Sequence, residues 1–336
     1  MPDGRVPGPS AAVAATGVTV VFDGGVTALD ELDFSACSGE ITAIVGANGS
    51  GKSTLLEVLD GRLAPTRGSV RVLGLVPHRR LRTLANRLGY ASQQAALDPE
   101  MTGLELMNFF AALYGFRGAA RRRRIDRWID ALDLEDHVDE RVSRLSGGYC
   151  RRLHLALSLL HEPEVVLLDE PATHLDAEAR GRLWLMLRDL AARGHTVVAV
   201  SHDLGDVERS ADCATLLARG RRIASGPPST LVEAHGSRLV RLRLERTVAP
   251  LDVRNAFGEM AVEWTCFQQL LCVFCLDEAV DEHALLDCLR HAGAGVEAWA
   301  VEPACLANAY LRLSGALLDQ STARPGHGGA PSRRRS

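Results

Sequence analysis

The sequence predicts an α/β fold: a parallel-sheet core with a glycine-rich strand-to-helix loop and a helical insert, followed by a small α+β C-terminal domain. Three observations carry this expectation. The apolar runs at 41–45, 165–168 and 196–200 lack alternation and end in small, polar or charged residues, as strands buried on both faces of a parallel sheet do. Directly after the first run, residues 46–54 have the glycine spacing that lets a strand turn into a helix. Beyond Gly226-Pro227-Pro228 the pattern changes, and Val240, Leu242 and Leu244 alternate with Arg241, Arg243 and Glu245 in a half-buried strand that opens a new unit.

In chain order, residues 1–16 contain one arginine and an alanine-rich stretch broken by Pro7 and Pro9. They lack the regions of a secretion signal and read as a disordered leader in a cytosolic protein. The core spans 17–238, with a helical subdomain at about 95–160 whose pieces cover 104–114, 121–132 and 148–161. A small α+β domain occupies 239–318: an apolar strand at 270–276, a helix near 281–291, and a last helix with Leu306, Tyr310, Leu313 and Leu317 on one face. The tail, 319–336, is rich in Gly, Pro, Ser and Arg and reads as disordered.

Composition narrows the function classes. With 46% hydrophobic and 24% charged residues the chain is globular in type, and no stretch approaches the roughly 18 uninterrupted apolar residues of a membrane-spanning helix. The net charge of −4, without a basic stripe, argues against nucleic acid as a partner. The eight cysteines follow no disulfide spacing. Cys272-x-x-Cys275 sits in the apolar strand, where positions three apart point to opposite faces, so core thiols are expected rather than a metal pair. The arginines at 121–124 and 333–335 read as solvated faces.

Among 38 basic residues only Lys52 is a lysine. Arginine's planar fork cannot replace a compact ammonium inside a phosphate cradle, so a lysine that survives such a bias marks one. Gly46-Ala47-Asn48-Gly49-Ser50-Gly51-Lys52-Ser53-Thr54 matches G-x-x-x-x-G-K-S/T. Its amides would converge on a β-phosphate, Lys52 would bridge β- and γ-phosphates, and the Ser53 hydroxyl would ligate Mg²⁺. The run at 165–168 delivers Asp169 and Glu170 at its end, a costly pair of carboxylates unless a cation or a reaction uses them. Asp169 is expected to hold Mg²⁺, and Glu170 to polarise the water that attacks the γ-phosphate. Leu145-Ser146-Gly147-Gly148 opens a further helix and makes a second anion-binding terminus.

Together these residues resemble the nucleotide-binding subunit of an ABC transporter, a P-loop ATPase. In that likeness 46–54 is Walker A, 165–170 Walker B and 145–149 the signature. Gln93 matches the Q-loop glutamine, which adds a Mg²⁺ contact; Leu175-Asp176 matches the D-loop, His202 the switch histidine, and Phe22 the aromatic that stacks on adenine. The resemblance covers about 18–228 and implies a dimer, homodimeric or with a paralogous ATPase subunit, in which the signature of one chain covers ATP held by the other. Tyr149 and Cys150 depart from the glutamine or methionine and basic residue usual after the signature glycines, and Ala172-Thr173-His174 from the usual D-loop lead.

Too few residues separate Gln93 from Ser146 for the coiled coil of DNA-repair relatives, and there is one core where ribosome-associated members usually have two. The close from Glu302-Pro303 through Leu311-Arg312-Leu313-Ser314-Gly315 is similar to that of drug- and antibiotic-exporter ATPases, as is the stretch from Pro99 to Gly115, where such subunits receive a helix of the membrane partner. The apolar residues of that stretch serve equally as helical core. The resemblance therefore implies the ATPase of an exporter, working on a separately encoded permease at the inner face of the cell membrane. A soluble regulatory or ribosome-associated ATPase is the alternative.

Overall fold

The computed structural model of the chain describes residues 11–94, 96–258, 260–276 and 280–320. They divide into two compact units between Leu231 and Val232. The first unit contains β1 (Ala11–Val21), β2 (Thr27–Cys37), β3 (Ile41–Gly46), α1 (Lys52–Asp60), β4 (Arg67–Val72), α2 (Leu81–Leu84), β5 (Leu88–Ala91), α3 (Gly103–Leu113), α4 (Gly118–Ala131), α5 (Gly147–Leu159), β6 (Val165–Asp169), α6 (Ala177–Ala192), β7 (Thr196–Ser201), α7 (Leu204–Ser210), β8 (Cys213–Ala218) and β9 (Arg221–Gly226). Helix α8 (Pro228–His235) crosses the division.

The principal sheet runs β5-β6-β7-β3-β8-β9, parallel except for β9. All three apolar runs of the sequence lie in it as adjacent central strands, and every residue of β3, β6 and β7 is buried. Two-faced burial explains their unbroken hydrophobicity. A second, antiparallel sheet, β2-β1-β4, shares with α1 and the principal sheet one core that includes Val13, Val20, Leu32, Phe34, Leu55, Leu59, Leu167 and Val198. Helix α1 thus has apolar partners on both sides, and its N-terminus is held at the C-terminal end of β3.

The leader expected over 1–16 is overturned for 11–16, which form the first half of β1; residues 1–10 lie outside the described residues. Small side chains make this pairing possible. Val13 and Ala15 turn inward and are 0% and 3% exposed, opposite Ala36 and Phe34 of β2 and Val72 and Val70 of β4. The composition that looked too poor for a core strand suits a central strand between two neighbours.

Helix α3 starts at a reciprocal cap: the Glu105 amide donates to Thr102 Oγ1 at 3.1 Å and the Thr102 amide to Glu105 Oε2 at 2.8 Å. Helix α5 begins at Ser146, whose Oγ accepts from the Tyr149 amide at 3.2 Å.

The second unit contains β10 (Arg238–Leu244), α9 (Pro250–Phe257), β11 (Val262–Phe267), β12 (Leu270–Cys275), α10 (Glu282–His291), β13 (Val296–Glu302) and α11 (Leu306–Gln320). The order β-α-β-β-α-β with sheet β11-β12-β10-β13 is a split β-α-β fold, antiparallel throughout. The division precedes β10, the strand at which a new unit was expected, because the end of α8 is tied forward: Arg312 Nη1 of α11 donates to the His235 carbonyl at 3.4 Å. Val240, Leu242 and Leu244 pack with Val253, Phe257, Leu285 and Leu289 on the helical face. On the other face Leu239, Cys272 and Phe274 meet Leu311. Cys275 belongs to the first group and Cys272 to the second, so the two thiols point apart, and both are free. Burial raises the pKa of each above the usual thiol value, with Arg241 opposing it at Cys272 and Arg238 at Cys275. A cavity of about 350 Å³ in this unit has Arg312 and Glu263 in its wall, paired with each other at 2.6 and 2.9 Å. The tail expected from 319 is helical backbone to Gln320, and 321–336 lie outside the described residues.

Candidate functional site

The loop between β3 and α1 is built by its glycines. Gly51 has φ +101°, and a Cβ there would stand 2.6 Å from the Ala28 carbonyl oxygen and 2.7 Å from Leu29 Cδ2. Any side chain would push β2 away from the loop. Lys52, 8% exposed, turns back over the loop and donates from Nζ to the carbonyls of Gly46 at 2.8 Å and Ala47 at 3.0 Å. Burial lowers its pKa, opposed by the carboxylates of Glu170 and then Asp169. An ammonium in this position, facing a helix N-terminus, is suited to a polyphosphate.

A cavity of about 320 Å³ opens here, lined by Phe22, Val26, Thr27, Ala28, Asn48, Gly49, Gly51, Lys52, Ser53, Thr54, Gln93, Asp169 and Glu170. The structure therefore brings together Phe22, six of the loop residues singled out from sequence, Gln93 and both carboxylates around one space. Gly46, Ala47 and Ser50 are not on its lining; the Ser50 amide donates to the Ala47 carbonyl at 3.1 Å, and its side chain lies against Gly46. The Val26-Thr27-Ala28 wall was not foreseen; its signal was the Gly24-Gly25 turn after Phe22, which folds β2 back beside the loop.

Asp169 ends β6 and is 5% exposed. Burial raises its pKa, while a hydrogen bond from the Ser53 hydroxyl and the charges of Arg151 and Lys52 pull it back. A buried carboxylate beside a serine hydroxyl, with an amide side chain on the same cavity, is a set of hard oxygen donors that fits Mg²⁺. Glu170 follows with φ +53°, a left-handed conformation that a non-glycine residue adopts only when its surroundings impose it. Its amide donates to the Val200 carbonyl at 3.1 Å. Its Oε2 accepts from His202 Nδ1 at 2.6 Å, which leaves His202 Nε2 directed elsewhere.

The remaining sequence-predicted residues are not in this cavity. Ser146, Gly147 and Gly148 form the tip of α5, where Gly148 runs so close to the D-loop that a Cβ would stand 3.0 Å from the His174 carbonyl oxygen. Asp176 caps α6, its Oδ1 accepting from the Ala179 amide at 2.8 Å, and that bond holds its carboxyl below the usual range. One glycine-rich helix N-terminus thus opens into the cavity and a second lies outside it.

Two side chains to which the sequence assigned no packing role organise this tip. Tyr149, 3% exposed, donates from Oη to the Leu134 carbonyl and anchors the signature to the segment that follows α4. Arg151, 4% exposed, reaches the far side of α5 toward the β6 end. Burial lowers its pKa, with Asp169 and Glu170 opposing. The signal for its burial was its place on the helix face that carries Leu155 and Ser158.

The family profile described as ABC transporter matches residues 29–173. The chain is 39% identical over 209 residues to a Nod factor export ATP-binding protein I of Paraburkholderia xenovorans (strain LB400), covering 62% of this chain and 69% of that protein. It is 34% identical over 289 residues to one of Burkholderia pseudomallei (strain 1710b), covering 85% of this chain and 92% of the relative. Among solved structures, an ATP-binding subunit of an ABC transporter superposes with a TM-score of 0.62 at 25% identity, over 66% of this chain and 92% of that one. A dimeric ATP-binding cassette in a post-hydrolysis state, bound to ADP and Pi, gives a TM-score of 0.60 at 27% identity, over 64% of this chain and 98% of that one.

Proposed function

Because this chain belongs to the ABC transporter family, we propose that it is the ATP-binding and hydrolysing subunit of an exporter, dimerising around two MgATP to drive a separate membrane permease. The observation that carries this reading is the separation of the two anion-binding termini: α1 opens into the cavity with Phe22, Gln93, Asp169 and Glu170, while the α5 tip lies outside it. A second chain supplies what one lacks. Ser146 and the first-turn amides of α5 then cap the γ-phosphate of ATP held by the partner, with Asp176 at the same seam. The dimeric state of the structural relative supports that arrangement.

In each pocket Phe22 stacks on adenine, the loop amides and Lys52 hold the phosphates, and Glu170 takes a proton from the attacking water. His202 orients that carboxylate. Ser53, Gln93 and Asp169 would hold Mg²⁺, which supplies charge neutralisation on the phosphates.

The groove of about 650 Å³ between Met101, Thr102, Leu104, Glu105, Asn108 and Asp139, with Phe109 and Leu113 exposed nearby at 52% and 65%, supports docking of a permease helix. Among the described residues no helix is long and apolar enough to cross a membrane, so residence at the inner face of the cell membrane depends on that partner. The relatives are named for export of Nod factor, which supports an exported cargo for this chain too, a drug, antibiotic or lipid-like molecule met by the permease rather than by this subunit.

The test is co-purification in detergent with a candidate permease, followed by ATPase assays with and without that partner. Hydrolysis that needs Mg²⁺, rises with the permease and vanishes in Lys52→Ala is the expected result. Sedimentation with ribosomes, without membrane association, would overturn the transport role in favour of the soluble alternative.

A further inference from the structure

Arg151 lies five positions beyond Ser146 on α5 and has four hydrogen-bond acceptors, all main-chain carbonyls. Nη2 donates to Asp169 O at 2.5 Å and Nε to Pro171 O at 3.4 Å. Nη1 donates to Gln93 O at 3.4 Å and to Ser92 O. The first two carbonyls flank Glu170 on either side. The others belong to the segment that carries Gln93 into the cavity.

We propose that Arg151 is a positioning residue for hydrolysis, clamping the backbone on both sides of Glu170 and behind Gln93 to the signature helix. This deepens the functional reading above and rests on its assignment of Glu170. The physical case has three parts. Glu170 is held at φ +53°, which needs restraint from its neighbours, and the two carbonyls Arg151 grips are those next to it in the chain. A guanidinium that is 4% exposed is retained at a large desolvation cost, offset by these carbonyls and by the nearby carboxylates of Asp169 and Glu170. A planar fork spreads its donors over three nitrogens and so spans acceptors on two separate segments, a reach the single nitrogen of a lysine ammonium lacks. Because the grip is on main chain, any shift of the α5 tip is felt at the carboxylate that polarises water, and the two move as a unit.

The experiment compares the full chain with Arg151→Lys and Arg151→Gln, assayed well below their melting temperatures. The expected result is a fall in kcat of about 10- to 100-fold with ATP affinity within about 3-fold, since misplacement of a catalytic group acts on the chemical step. Amide hydrogen exchange in the ATP-free chain is the second readout. Residues 90–94 and 169–172 are expected to exchange faster in Arg151→Lys, while α1 keeps its protection. Unchanged exchange in those segments together with kcat within about 2-fold of wild type would overturn the clamp. A wild-type chain that hydrolyses no ATP would sink the functional reading instead, and the exchange comparison would still decide whether Arg151 holds this backbone.

Discussion

His202 Nδ1 donates to Glu170 Oε2 at 2.6 Å, although the two residues are 32 apart in the chain. The strand register makes this contact. In the parallel pair β6-β7, Asp169 lies opposite Val200, so the residues that follow each strand emerge together at the C-terminal edge of the sheet. Glu170 is turned by its left-handed backbone, and the histidine two residues past Val200 meets it. The carboxylate is an acceptor only, so Nδ1 carries the proton and Nε2 is available to a phosphoryl oxygen.

Replacing that carboxylate tests the assignment of the base. Glu170→Gln is expected to lower kcat by at least about 100-fold while ATP affinity stays within about 3-fold. With hydrolysis blocked, ATP and Mg²⁺ should convert the chain to a dimer in size-exclusion chromatography. Near-normal turnover would remove Glu170 from this role.

Phe22 is 42% exposed on the cavity wall beside Val26 and Thr27, an open ring with no core function to lose. Phe22→Ala should weaken ATP binding by about 3- to 10-fold, the value of one stacking contact, with kcat at saturating ATP unchanged. Phe22→Tyr should bind as wild type does. Equal affinity in all three chains, measured by titration calorimetry, would show that no ring packs on the base.

Burial raises the pKa of Asp169, so its charge opposes folding in the metal-free chain. A carboxyl whose folded value lies above its unfolded one stabilises fully at low pH, and that contribution is lost as pH rises through the folded value. Asp169→Asn is therefore expected to melt a few degrees above wild type at pH 7 to 8 without Mg²⁺, with the gap narrowing as pH falls toward 4. The same variant should lose hydrolysis. A lower melting temperature at neutral pH would mean that the partners of Asp169 outweigh its burial.

Tyr149 departs from the residue usual after the signature glycines, and its hydroxyl holds the Leu134 carbonyl. Tyr149→Phe should cost about 1 to 2 kcal/mol, because it leaves a buried carbonyl without its donor. Burial pushes the phenol up from 10.0 to about 12, so the contribution is complete below the unfolded value and lost only as pH passes the folded one. The difference in melting temperature between the two chains should accordingly be flat from pH 6 to 9. A gap that closes within that range would contradict the neutral phenol.

Much of the pocket was legible from the residues because its parts are local. The loop at 46–54 is defined by glycines where the backbone allows nothing else, and Asp169 and Glu170 follow directly on a buried strand. The antiparallel partner strand of residues 11–16 was not legible, since alanines and a valine state no preference for a core until two neighbouring strands are present to cover them. The role of Arg151 was likewise not legible. Its acceptors lie as far as 59 residues away, and only the packing of α5 against the ends of β5 and β6 brings them within reach.

Contiguous residues alone determined the strand-to-helix turn at 46–54, the two carboxylates at the end of β6 and the change to an alternating strand after Gly226-Pro227-Pro228, because turn conformation and burial period are properties of neighbours in the chain. Tertiary structure alone decided that His202 holds Glu170, that Arg151 grips the backbone on either side of it, and that the α5 tip stands apart from the cavity. Those relations depend on strand register and helix packing, which are set by long-range burial and leave no fixed spacing for a sequence to display.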